Sequence, residues 1–90
     1  MHISYDPAKN ARNIEERQLS FDRASDFDWN TTIVKQDVRK DYSETRYIAV
    51  GFLDERLHVL CFTETDRGIR VISFRKANKR EQKAYDNINQ

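Results

Sequence analysis

Ninety residues with 38% hydrophobic and 34% charged content, two glycines and one proline describe a folded chain of single-domain length. They exclude a low-complexity or collagen-like chain and a large substrate cavity. The net charge of +1 hides an asymmetry: residues 1–66 hold nine Lys/Arg against thirteen Asp/Glu, and residues 67–90 hold seven against two. The two parts therefore carry −4 and +5. A basic end on an acidic body points to a surface that faces a polyanion. The single cysteine, Cys61, cannot form an internal disulfide, which predicts a reducing, cytoplasmic compartment. His2-Ile3-Ser4-Tyr5 after Met1 offers neither a basic nor an apolar leader, so no secretion signal is expected. No apolar run approaches the length needed to span a membrane.

In chain order, Ile3-Ser4-Tyr5 predicts a short strand. Asp6-Pro7 reads as an N-cap followed by proline at the first helical position, where the missing N–H does no harm. A helix is predicted from Pro7 to Arg17, with Pro7, Ala11 and Ile14 facing inward. Ser20 caps a second short helix that points Phe21, Ala24 and Phe27 one way. From there the period changes to two. Strands are predicted over 31–35, 46–52, 57–63 and 69–74, with a charged, mobile loop over 37–44. Short links between the last three strands imply an antiparallel meander. Tyr47, Ala49 and Gly51 alternate with Ile48, Val50 and Phe52, so both sheet faces carry apolar residues. Ile33, Ile48, Val50, Leu60, Phe62, Val71 and Ile72 are expected in the sheet, mostly buried. Asn78 and Glu81 fit a capping box opening a last helix to about Ile88, with Ala84, Tyr85 and Ile88 inward. The expected order is β-α-α-β-β-β-β-α, an α+β fold in one domain over residues 1–90.

Few residues offer chemistry. His2 lies at the chain start and His58 within a strand, which predicts a structural or surface role. Cys61 between Leu60 and Phe62 reads as an inert thiol. No metal-ligand spacing and no glycine-rich phosphate loop occur, so neither a metal nor another cofactor is expected. The basic run from Arg67 to Lys83 remains. Arg70, Arg75, Lys76, Lys79, Arg80 and Lys83 could gather near one sheet edge and hold phosphates. The bland alternative is a solvated helix face.

Taken whole, the chain resembles the BrnT family of bacterial type II toxins. Asp6, Lys9 and Asn13 resemble its opening D-x-x-K-x-x-x-N. Ser20-Phe21 followed by Ala24 and Phe27 resembles its next block, and Arg46 with Gly51 resembles its R-x-x-x-x-G strand. Phe62-Thr63, then Arg70, Ile72-Ser73, Arg75, Ala77, Glu81 and Tyr85, resemble its closing pattern. One departure stands out. Where the family has K-H-G, this chain has Glu16-Arg17-Gln18, which loses an easy left-handed helix end.

The resemblance implies a twisted antiparallel sheet with two N-terminal helices and a C-terminal helix, like that of the RelE and ParE toxins. It implies a ribonuclease that halts translation, and a cognate antitoxin resembling BrnA that binds DNA through its own ribbon-helix-helix domain. Cleavage without a metal would rest on charge stabilisation by Arg70, Arg75 and Arg80, with Lys76, Lys79 and Lys83 holding RNA. Glu64 or Glu81 would orient the substrate or accept a proton. Tyr85 is either a proton donor or a core anchor, and Arg46 either a site residue or half of a salt bridge with Glu44 or Asp37. Arg75 has no evident carboxylate partner in sequence, so Arg75→Ala is expected to abolish toxicity at a stability cost under about 1 kcal/mol. The rival readings are a non-catalytic module of the same fold that binds nucleic acid or protein, and a gyrase poison.

Overall fold

A computed structural model describes residues 1–89. Strand β1 (His2–Tyr5) leads into helix α1 (Pro7–Arg17) and a 3-10 helix over Phe21–Asp26. Four strands follow, β2 (Ile33–Gln36), β3 (Tyr47–Leu53), β4 (Arg56–Glu64) and β5 (Gly68–Lys76), and then helix α2 (Lys79–Ile88). The element order is the expected one, with the second helix in the 3-10 form. The five strands make one sheet in the order β1-β5-β4-β3-β2. The pairs β2–β3, β3–β4 and β4–β5 are antiparallel, whereas β1 lies parallel to β5. The sheet is thus mixed rather than antiparallel throughout. No helix among the described residues is long and apolar enough to cross a membrane.

The two faces bury different cores. One packs Ala49, Leu53, Leu60, Phe62, Ile69, Val71 and Phe74 against Leu19, Phe21, Ala24 and Phe27. Gly51 belongs to this side, where an added Cβ would strike Thr32 Oγ1 and crowd the Phe27 ring. The other face sets Leu57 and Val59 against Ala77 and Tyr85, with Ile33, Ile48, Val50 and Phe52 partly buried around them. Of the seven predicted sheet residues, Leu60, Phe62 and Val71 are buried. Ile33, Ile48 and Val50 stay half-exposed because α2 covers only part of their face. Ile72 is also half-exposed, at the irregularity where Cys61 pairs with Ser73 but Phe62 with Val71.

Helix α1 departs from the apolar stripe expected of it. Ile14 is 45% exposed, and Asn13 is the buried residue. Asn13 Nδ2 donates to the carbonyls of Leu19 and Phe74, while Asn10 Oδ1 accepts the N–H of Phe21. The helix is therefore docked by side-chain amides that satisfy buried backbone groups. At its end Gln18 takes φ 55, ψ 37, and donates its N–H to Ile14 O. Here the chain adopts a left-handed helix end without glycine.

Candidate phosphate-binding site

Period-two alternation along β5 decides which cations meet. Ile69, Val71 and Phe74 point into the first core, so Arg70, Ser73 and Arg75 face the α2 side. Lys76 follows Arg75 and faces away, lining a different cavity beside His58. The cluster expected at one sheet edge is thereby divided. On α2, Tyr85 is buried and Glu81 half-buried, while Lys79, Arg80 and Lys83 are exposed. Glu81, Ala84, Tyr85 and Ile88 line one groove wall, but of the three residues expected inward only Tyr85 is buried, Ala84 and Ile88 being exposed.

That groove, about 390 Å³, has a floor of Ile33, Ile48, Val50, Val59, Cys61 and Ser73. Its cations are Lys35, Arg39 and Arg75. Register extends the basic surface: Arg70 pairs with Thr63, and since Tyr47 pairs with Phe62, Arg46 falls beside Thr63 as well. Arg46 and Arg70 thus flank one β4 residue, about 10 Å apart at adjacent-strand spacing. Neither Lys35 nor Arg39 entered the sequence reading. Lys35 was within reach of it, being two residues after Ile33 and so on the same face.

Three of these arginines, Arg75, Arg39 and Arg46, have local tethers. Arg75 Nη1 and Nη2 donate to Glu81 Oε1 and Oε2 at 2.8 and 2.9 Å, and Nη1 also reaches Lys76 O. The guanidinium holds the Glu81 carboxyl at a pKa of about 2. Asp37, expected to belong to a mobile loop, is buried and accepts Arg39 Nε, Arg39 Nη2 and the Tyr42 hydroxyl. Those hydrogen bonds, Arg39 first, pull its pKa well down. Arg46 lies 4.2 Å from the Tyr42 ring centroid and 3.6 Å from Glu44, and its Nε has no hydrogen-bond partner among the described residues. Tyr85 donates its hydroxyl to Thr31 O and stands edge-on to Phe52, so its role here is that of an anchor for α2.

Glu64 faces the opposite side. Its carboxylate beside the Tyr47 hydroxyl pushes that pKa up, and the structure does not bring it to Arg70 or Arg75. Against the expectation that so short a chain holds no large cavity, the same side has an open cleft of about 830 Å³ at the sheet end, between α1 and the tips of β4 and β5. Arg17, Arg23, Arg56, His58, Lys76 and Asp54 line it, and Arg75 borders both cavities. His58, assigned a structural or surface role from sequence, is buried but borders this cleft.

A small α+β protein with cations ringing an apolar, half-open sheet face has the surface of a polyanion binder. The chain belongs to the family described as the ribonuclease toxin, BrnT, of type II toxin-antitoxin systems, whose model matches residues 5–81. No curated protein and no solved structure matches the chain. As a member of that family it is a toxin with a protein antitoxin partner.

Proposed function

We propose that the protein is a metal-independent endoribonuclease that arrests translation, with RNA laid along the α2-side groove. The observation that carries this is the open half of the sheet face, where Arg75, Lys35 and Arg39 border an apolar floor and Arg70 and Arg46 extend the charge. Arginine forks bind phosphate oxygens in pairs, and the half-exposed Ile33, Ile48 and Val50 offer a surface on which bases can pack. Arg70 and Arg75 lie five residues apart on β5, roughly 16 Å along the strand, enough to hold more than one phosphate. Fixed cations that meet charge developing on phosphorus supply the stabilisation such cleavage needs. Arg80, near enough to help lower the Glu81 pKa, is exposed on α2 outside the groove lining, as are Lys79 and Lys83. The antitoxin, a BrnA-like ribbon-helix-helix protein, covers the groove, and the pair works in the cytoplasm.

Purified protein incubated with total RNA in EDTA tests this. Discrete fragments ending in 2′,3′-cyclic phosphate are expected, together with loss of translation in a cell-free system. A gel shift with intact RNA would favour the non-catalytic binding module and sink the enzyme reading.

A further inference from the structure

We propose that His58 is the general base of RNA cleavage, acting in the cleft at the end of the sheet. The proposal deepens the ribonuclease reading above and rests on it. The groove can hold phosphates but offers poor proton acceptors: both Glu81 oxygens are engaged by Arg75, and the Tyr85 hydroxyl is donated to Thr31 O.

His58 has the opposite arrangement. Its Nδ1 lies 2.7 Å from Arg56 O. A carbonyl can only accept, so Nδ1 carries the proton and Nε2 is left as a bare acceptor. Nε2 takes no partner among the described residues and is not among their buried, unpartnered atoms, so it reaches the cleft. The ring is held edge-on to Phe74 with centroids 5.6 Å apart. A histidine serving only the core would have both nitrogens satisfied.

The surrounding charges suit a phosphate. Lys76 sits directly across from His58 in the β4–β5 register. Arg56 follows the hairpin turn with Nη2 donated to Ala77 O, and Arg17 comes from the end of α1, where Nη1 reaches Asn13 Oδ1 at 3.4 Å. Arg23 is occupied by Asp54 and Asp26. Burial foremost, then Arg56 and Lys76, push the His58 pKa down, against the Arg56 carbonyl and Asp54. The imidazole is therefore neutral near pH 7 and able to accept a proton. Strand β1 pairs only with residues 68–71 of β5, α1 meets the edge beyond at Phe74 O through Asn13, and past that contact Arg75 borders both cavities. RNA in the groove can pass over that edge into the cleft. There Nε2 takes the 2′-hydroxyl proton, the O2′–P bond forms and the P–O5′ bond breaks. The 5′-oxygen leaves with the bonding pair and takes a proton from water, giving a 2′,3′-cyclic phosphate and a 5′-hydroxyl.

The test is single-turnover cleavage of a short RNA in EDTA by the full chain across about pH 5 to 8.5, a range spanning histidine titration. The wild-type rate should rise and level off with an apparent pKa below 6.5, the ordinary histidine value. His58→Asn, whose Nδ2 can replace Nδ1 at the Arg56 carbonyl, should lower the rate by about 10²–10⁴ and flatten the profile, with binding of a 2′-O-methyl RNA changed less than about threefold. In the wild-type protein, a nucleoside 3′-monophosphate should raise the His58 pKa seen by NMR, because a dianion in the cleft favours imidazolium. Full activity with an unchanged profile in His58→Asn overturns the role of His58 alone. If the variant does not fold, a His58 pKa unmoved by the monophosphate overturns it instead. A wild-type protein that binds RNA without cutting it overturns the ribonuclease reading first.

Discussion

Arg75 and Glu81 form a two-pronged ion pair, and Glu81 Oε1 also accepts the N–H of Asn78 at 2.9 Å. Asn78 Oδ1 in turn accepts the N–H of Glu81 at 2.8 Å. One carboxylate therefore closes the capping box of α2 and fixes a cation at the end of β5. The expectation that Arg75 has spare donors and little structural role is corrected by this geometry. With the Arg75 side chain 39% and that of Glu81 28% exposed, the pair is partly screened, so Arg75→Ala is expected to cost about 1–2 kcal/mol rather than less than about 1. Growth arrest should still be lost. Glu81→Gln should destabilise similarly yet keep most activity, because the cation remains. Thermal melts and growth curves of both variants check this, and equal loss of toxicity in the two would make Arg75 purely structural.

The same pair sets an acid limit. The Glu81 pKa falls from 4.5 to about 2 on folding, chiefly through the Arg75 hydrogen bonds. A depressed carboxylate stabilises the fold above its unfolded pKa, and that contribution is lost as pH falls through the folded value. The stability gap between wild type and Glu81→Gln should thus be constant above about pH 5 and close progressively between about pH 4.5 and pH 2. Urea unfolding at several pH values measures it, and a gap constant down to pH 2 would contradict the assignment.

Gln18 occupies a left-handed conformation at φ 55, where a side chain crowds the following carbonyl. Gln18→Gly removes that strain while keeping the N–H bond to Ile14 O, and gives up only an exposed bond from Nε2 to Glu15 O. The variant is expected to gain about 0.5–1 kcal/mol, roughly 2–8 °C in Tm for a domain of this size. A melting temperature at or below wild type would show that the cap carries no strain.

What could be read from the sequence was local. The Asn78 and Glu81 spacing spelled the capping box, and the run of residues without a charge over 47–52 marked a strand covered on both sides. The parallel pairing of β1 with β5 joins residues more than sixty positions apart, and nothing in Ile3-Ser4-Tyr5 encodes it. Alternation already separated Arg75 from Lys76, but their adjacency in a basic run suggested a single cluster. Helix α1 misled because its inward contacts come from Asn10 and Asn13 and not from its apolar residues. His58 sat in an apolar strand and read as filler, since only the fold shows a cleft opening beside it.

The division of the cations yields the last prediction. If RNA lies in the groove, Arg70 neutralises a phosphate and Lys83 on the outer side of α2 does not. For single-stranded RNA each neutralised phosphate contributes about −0.7 to the slope of log K against log salt. Arg70→Ala should therefore weaken binding of a non-cleavable 2′-O-methyl RNA and reduce the slope magnitude by about 0.7. Arg70 is exposed and has no ion-pair partner among the described residues, so its stability should change by less than about 0.5 kcal/mol. Lys83→Ala should leave slope and stability unchanged. Fluorescence anisotropy between about 50 and 200 mM salt, where electrostatic binding falls steeply, separates the two. The reverse result, a slope sensitive to Lys83 and indifferent to Arg70, would move the RNA path from the sheet face to the outer surface of the helix.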